Sequence, residues 1–381
     1  MPLKLTEHLE RNRIHNAFSA STNPGLKLVL TLLILLASFL LASSIFFVRN
    51  KTPHAQTNVP KSLYNMHILG GFSVDTPEKA TKAAAEGIQV VFDYGQPPSE
   101  SDQVGQELQA LHMKVVDGYI SSYLFYYECH RTKTVKPPPS GQAPFCQDDL
   151  YPNLKDEHAL LATISAHLKQ VQENHLIIGY WVLDDWVPWD AGSARQLLIA
   201  IHHLIRQYTP DRPSICGFGG NIGGPKQNDG WSDWVADNFS PQGCDEVGFY
   251  VYAPSLLNTA SAPPIGFYDW SMLALLPAMD ASLQRRGWEI EKEPLIGIGQ
   301  AFGGPIAQTD RYWVTPTAKD IETQSRSFCE HGAAGLVFYA WNNSGFGTTA
   351  QTPMNNAGIE TGIRNGIAAC KLFWSKRTKK I

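Results

Sequence analysis

From residue 63 onward the chain alternates between short apolar runs and amphipathic segments, and this rhythm restricts the folds open to it. Leu63–Phe72 reads as a strand, Thr76–Glu86 as a helix started by Pro77, Ile88–Asp93 as a strand and Ser99–Leu111 as a helix. Met113–Tyr119 is a third strand. Ile120–Asp156 reads as a long loop, with three successive prolines and two cysteines, before a helix over Glu157–Glu173. The fourth strand is the run Ile177-Ile178-Gly179-Tyr180-Trp181-Val182-Leu183, which ends in Asp184-Asp185. The plan then repeats. The remaining strands are expected at Pro213–Phe218, Glu246–Tyr252, Pro294–Gln300 and Gly335–Trp341, and the helices at Ala191–Tyr208, Trp231–Phe239, Trp270–Arg286, Thr317–His331 and Gly358–Phe373. Strands alternating with helices imply a parallel sheet. Eight such units over about 300 residues fit a single (β/α)8 barrel, a TIM barrel.

The competing architecture is an open doubly wound sheet. Its dinucleotide-binding form would carry GxGxxG after the first strand. The glycine-rich stretch Gly217–Gly224 instead follows the fifth strand and runs into Pro225, so it reads as a tight loop at the barrel mouth.

Ahead of the barrel, Leu28–Val48 is uncharged and apolar, about the length that spans a bilayer. Lys4, Arg11, Arg13 and Lys27 precede it, and Arg49 and Lys51 follow. The expected organisation is a cytoplasmic segment 1–27, a transmembrane signal anchor 28–48, a linker 49–61, the barrel over 62–375 and a basic tail 376–381. The positive-inside rule puts the barrel on the extracytoplasmic side of a single-pass membrane protein; a cleaved signal would leave it on the same side. A charged fraction of 17% is low for a soluble domain, in keeping with a large core and an apolar segment. A net charge of −4 gives no reason to expect nucleic acid. Six cysteines suit an oxidising compartment. Cys129–Cys146 is the favoured disulfide, with Cys216–Cys244 and Cys329–Cys370 as further pairings and buried free thiols as the alternative.

In a barrel of this kind the site lies at the C-terminal ends of the strands. Those ends read Phe92-Asp93-Tyr94, Asp117-Gly118-Tyr119, Asp184-Asp185-Trp186, Tyr250-Val251-Tyr252, Gly299-Gln300-Ala301-Phe302 and Tyr339-Ala340-Trp341-Asn342-Asn343. A lone strand-end aspartate is more often a helix cap than a catalyst. Asp184 and Asp185 are adjacent, and a regular strand sends neighbours to opposite faces, so one of the two should enter the mouth. Trp186, Trp189, Trp231, Trp234, Trp270, Trp313 and Trp341 fall at strand ends or just beyond. Flat indole faces stack against the C–H groups of pyranose rings, while sugar hydroxyls seek Asn, Gln and Asp. The pattern suggests a carbohydrate ligand.

The run Gly179-Tyr180-Trp181-Val182-Leu183-Asp184-Asp185 resembles the strand-four segment of barrel-type glycoside hydrolases, where a terminal acid donates the proton. That resemblance implies Asp185 as donor. Phe338-Tyr339-Ala340-Trp341 is similar to the strand-eight end that supplies such enzymes with a floor tryptophan. The sequence departs from the pattern at strand seven, where the large retaining group has a glutamate nucleophile and this chain has Gln300.

Three routes are open. Asp185 can act as acid with Asp93 or Asp117 activating water, or a retaining pair can be built from other strands; carboxyl separation distinguishes these two. The third route, placed last because the spaced acidic strand-four motif of the chitinase-like barrels it resembles is absent here, is substrate-assisted, with attack by an acetamido group, Asp185 protonating the leaving group and support from Asp184 and Tyr250 or Tyr252. Tyr250, Tyr252, Gln300, Trp341, Asn342, Trp186 and Trp189 are the expected substrate-binding residues. His67 lacks an HxH partner, His202-His203 faces two ways on a helix, and no cysteine or histidine spacing suits zinc, so no metal or cofactor is expected. No GxSxG elbow occurs. The expected activity is glycosidic bond cleavage in an extracytoplasmic polysaccharide or oligosaccharide; the alternative is a non-catalytic glycan-binding barrel at the cell surface.

Overall fold

The computed structural model describes residues 67–132, 154–184, 194–219, 236–255, 268, 271–305, 312–341 and 350–378. The expected membrane span at 28–48 lies outside these residues. Among the described residues no helix is long and apolar enough to cross a membrane.

Among the described residues eight strands form the barrel: β1 Leu69–Phe72, β2 Val90–Asp93, β3 Lys114–Asp117, β4 Ile177–Leu183, β5 Ser214–Gly219, β6 Glu246–Val251, β7 Leu295–Gln300 and β8 Gly335–Tyr339. Each pairs in parallel with its chain neighbour, and β1 closes on β8. Closure rules out the open doubly wound sheet and establishes the (β/α)8 barrel. The described helices are α1 Pro77–Glu86, α2 Gln103–Ala110, α3 Tyr119–Thr132, α4 Glu157–Val171, α5 Arg195–Tyr208, α6 Leu276–Gln284, α7 Ala318–Glu330 and α8 Ala357–Thr378. The expected helix over Trp231–Phe239 lies mostly outside the described residues.

Helix starts follow local chemistry. The Thr76 hydroxyl accepts from Lys79 N ahead of Pro77, and Gly87 ends α1 in the left-handed conformation. Asp102 and Asp156 cap α2 and α4, and Thr317 with Asp320 forms a capping box on α7. At the other end of α4, the buried Arg212 guanidinium donates to the carbonyls of Val171, Gln172 and Asn174 and to the Tyr180 hydroxyl. It thereby satisfies carbonyls at a helix C-terminus while tying that helix to β4.

Two element boundaries differ from expectation. The first part of the long loop is helical, as α3. Its buried residues Ile120, Tyr123, Leu124 and Tyr127 follow a helical spacing that the proline-rich continuation obscures. The closing helix extends into the basic tail as far as Thr378, where lysine and arginine suit the negative end of the helix dipole.

Side chains divide into two layers. Phe72, Val90, Phe92, Val116, Trp181, Ile215, Ile296, Ile298 and Val337 fill the barrel interior. A larger layer, including Val91, Val115, Tyr180, Phe249, Phe328 and Leu336, packs between strands and helices. Two disulfides brace that outer layer. Cys216–Cys244 links β5 to the turn before β6, and Cys329–Cys370 links α7 to α8. The side chains of the favoured Cys129–Cys146 pair lie outside the described set.

Between α1 and α8 a glutamate is buried without a hydrogen bond. Glu86 is 3% exposed, and neither carboxylate oxygen has a partner. Lys82 pairs with Glu360 at 2.9 Å, and Arg364 lies 3.7 Å from the same carboxylate. Burial, reinforced by Glu360, pushes the Glu86 pKa up to about 8, against the opposing pull of Lys82 and Arg364. The unfolded chain therefore releases this proton at lower pH than the folded chain, and stability falls as pH rises through that interval. Glu86→Gln is expected to remove a slope of up to about 1.4 kcal/mol per pH unit. Denaturant midpoints measured from pH 5 to pH 8.5 check this: the variant should gain on the wild type steadily with pH, and parallel curves would refute the assignment.

Candidate active site at the barrel mouth

The fourth strand sets the geometry of the mouth. Trp181 pairs with Ile215 and Leu183 with Cys216, so β4 carries an extra residue at Val182 relative to β5. Strict alternation from the inward Trp181 would turn Leu183 and Asp185 inward. The bulge instead leaves Val182 and Leu183 in the outer layer and brings Asp184 to the inner side. There the Asp184 Oδ1 accepts a 2.7 Å hydrogen bond from the Tyr250 hydroxyl and a longer one, 3.4 Å, from the Trp181 indole Nε1. Asp185, Trp186, Trp189 and Asn342 lie outside the described residues.

Glycines make room for the indole inside the barrel. A Cβ on Gly217 of β5 would collide with the Trp181 ring, and one on Gly248 of β6 would come within 2.6 Å of it. The first glycine of the glycine-rich stretch thus serves packing.

Aromatic side chains surround the Asp184 carboxylate. Tyr94, beyond β2, stacks on Phe72 at 5.3 Å, and its hydroxyl lies 3.3 Å from that of Tyr250. Tyr250 meets the edges of Trp181 and Tyr252. Tyr339, at the end of β8, touches Phe72, Tyr94, Tyr250, Tyr252 and Phe302. A small antiparallel sheet of Pro254–Ser255, Gly304–Pro305 and Tyr312–Trp313 stands above β6 and β7. It sets Trp313 edge-on to Tyr252 at 5.9 Å. Sequence reasoning selected Tyr250 and Tyr252, placed Tyr94, Phe302, Trp313 and Tyr339 at or beyond strand ends without choosing them as binding residues, and passed over Phe72. The available signal was inward parity at each strand end.

The other expected residues are placed differently. Asp117 is fully buried, bonded to His167 Nε2 at 2.7 Å and to the Tyr119 backbone N–H at 2.9 Å. Val115 lies in the outer layer and Val116 in the inner one, so Asp117 points outward to α4, away from the mouth. Asp93 pairs in register with Asp117 and follows the inward Phe92, which puts it on the same outer side. Its Oδ1 accepts from Gly95 N at 3.2 Å. Burial raises its pKa against the backbone hydrogen bonds from Gly95 and Tyr94, with Asp75 and Asp117 adding to the rise. The expectation that either aspartate activates water in the mouth therefore conflicts with the side each one faces.

Gln300 is fully engaged by the protein. Its Nε2 donates to the Phe302 and Val314 carbonyls, and its Oε1 accepts from Ala253 N and the Tyr268 hydroxyl. No donor or acceptor capacity remains for a substrate. Trp341 packs in the outer layer over Gly71 and is fully buried, its indole N–H without a partner. The aromatic that β8 presents to the mouth is Tyr339. Among the described residues no group of three or more His, Cys, Asp or Glu side chains is arranged to hold a metal ion.

The closed parallel strand order defines a (β/α)8 barrel. The chain is similar to solved structures of an endo-β-1,4-mannanase from Thermotoga petrophila (11% identity, TM-score 0.49, covering 81% of this chain and 76% of that one). It is also similar to a β-galactosidase from the psychrophilic Marinomonas ef1 (10%, 0.48, 82% and 60%) and a class V chitinase from Pseudomonas fluorescens (10%, 0.46, 79% and 99%). No family model and no curated protein matches the chain. The strand order of this chain, rather than these distant likenesses, carries the fold assignment.

Two stability outcomes follow from this packing. Gly217→Ala is expected to cost about 1–3 kcal/mol through overpacking against Trp181, seen as a lower denaturant midpoint; an unchanged midpoint would show that the indole has another place to go. His167→Ala strands a buried carboxylate and is expected to cost about 3 kcal/mol or more. His167→Ala combined with Asp117→Asn should recover part of that loss in the same assay.

Proposed function

We propose that this protein cleaves glycosidic bonds in an extracytoplasmic polysaccharide or oligosaccharide at the mouth centred on Asp184. The observation that carries the reading is a carboxylate held by a phenol and an indole within a ring of tyrosines at the C-terminal end of a parallel barrel. Aromatic walls suit the apolar faces of sugar rings, and a fixed carboxylate suits a hydroxyl, an amide N–H or a developing positive charge. The apolar stretch 28–48 and the disulfides Cys216–Cys244 and Cys329–Cys370 support a membrane-anchored body in an oxidising compartment.

The outward placement of Asp93 and Asp117 and the full engagement of Gln300 favour the substrate-assisted route over the two routes that pair carboxylates from different strands. In that route the acetamido oxygen of the substrate bonds to the anomeric carbon as the bond to the leaving oxygen breaks. Asp185 gives its proton to the leaving oxygen and recovers one from the water that later opens the cyclic intermediate. Asp184, fixed by Tyr250, accepts the acetamido N–H.

A second reading, a non-catalytic glycan-binding barrel, draws on the same glutamine, because a strand-seven end without a carboxylate also suits binding alone. The full chain assayed on oligosaccharides with and without 2-acetamido groups separates these readings. Release of reducing ends from acetamido sugars is expected, with losses of roughly 100-fold or more in kcat for Asp184→Asn and for Asp185→Asn. Binding without release on every substrate would establish the second reading. Equal turnover of sugars lacking the acetamido group would exclude the assisted route, and full activity in Asp185→Asn would remove it as donor.

A further inference from the structure

We propose that Tyr94 is a positioning residue for Asp184, acting through Tyr250: the hydroxyls of Tyr94 and Tyr250 form a one-way hydrogen-bond chain that crosses the mouth from β2 to β6 and ends on the β4 carboxylate. The chain rests on the preceding reading only in taking Asp184 as the working carboxylate of the site.

The direction of the chain follows from proton counting. An ionised carboxylate only accepts, so the single Tyr250 proton lies in the 2.7 Å bond to Asp184 Oδ1. The Tyr250 oxygen is then an acceptor towards Tyr94, 3.3 Å away, and Tyr94 must donate across that gap. The Tyr94 ring is held in place by its stack on Phe72 and its edge contact with Tyr339 at 6.5 Å. Its hydroxyl is therefore aimed by packing. Donation from Tyr94 polarises the Tyr250 O–H and strengthens the bond that Tyr250 makes to the carboxylate. Hydrogen bonds to the charged form of an acid favour that form. The chain therefore keeps Asp184 ionised as an acceptor and leaves proton donation to another group. Protonation of Asp184 would break this order, because the Tyr250 proton would no longer face a full negative charge.

The test reads Asp184 directly. The full chain is labelled with carbon-13 at aspartate carboxyls, the Asp184 signal is assigned with Asp184→Asn, and its titration is followed by NMR. Tyr250→Phe is expected to raise the Asp184 midpoint by about one pH unit, and Tyr94→Phe by a few tenths in the same direction. The double variant should move no further than Tyr250→Phe alone, since Tyr94 works through Tyr250. An unmoved midpoint in Tyr94→Phe, or additive shifts in the double variant, would overturn the proposal. The acidic limb of kcat should follow the midpoint in each variant. A wild type without turnover would defeat the enzyme reading, and the NMR titration would still decide the relay. Phenylalanine retains both rings, and an unchanged thermal melt in each variant excludes a packing loss.

Discussion

The site depends on how the barrel fills its own interior. Eight parallel strands close around a space that side chains must occupy, and here one indole takes much of it. Trp181 lies there because Gly217 and Gly248 on the two following strands present no Cβ in its path. The extra residue at Val182 then resets the phase of β4, so that the aspartate three residues beyond the inward tryptophan faces the same space. Without the glycines the indole would be displaced. Without the bulge Asp184 would face the helices. Both features belong to the strands, the stiffest part of the fold, and a site built there is better fixed than one built on loops.

The same alternation sorts the strand-end acids into two populations. Asp93 and Asp117 stand opposite one another on the outer side, each held by local groups. Two carboxylates in register repel, and the pair is tolerated because His167 and the Tyr119 N–H hydrogen-bond Asp117 while the Gly95 N–H serves Asp93. Asp184 differs in its partners: a phenol and an indole, with aromatic edges around them, in place of a histidine and backbone. One residue of phase thus decides whether a strand-end acid faces the helices or the barrel mouth.

That phase was the part of the site the sequence did not disclose. The eightfold alternation survives in the amino acids because each helix and strand carries its own periodicity and caps, and the barrel was legible from it. The pairings Cys216–Cys244 and Cys329–Cys370 could be named but not chosen, since connectivity depends on contacts between distant segments. Helix α3 was hidden by the proline- and cysteine-bearing stretch that follows it, although Ile120, Tyr123, Leu124 and Tyr127 bear the spacing of a buried face. The bulge has no local signature, because it arises from the pairing of β4 with β5. Trp341 is a floor residue only through a resemblance at the end of strand eight; the aromatic in the inward phase there is Tyr339, two residues earlier.

The resulting mouth is asymmetric, and the asymmetry bears on how a ligand would lie in it. Tyr94, Tyr252, Trp313 and Tyr339 rise from the β2, β6, β7 and β8 side, whereas the carboxylate enters from β4. A sugar ring stacked on the aromatic wall would present its edge, where the anomeric carbon and the 2-substituent lie, towards Asp184. The wall offers area and little directional polarity, so it would hold a ring without fixing its rotation. Among the described residues, orientation then falls to the few polar atoms aimed into the space. The Tyr250 hydroxyl is committed to Asp184 and the Gln300 amide to backbone and Tyr268, which concentrates that role on the carboxylate. A hydrogen-bond donor on the ligand is what such a carboxylate would accept. The hydrogen bonds that fix Asp184 in place thus also fix the direction in which the described part of the mouth can accept a hydrogen bond.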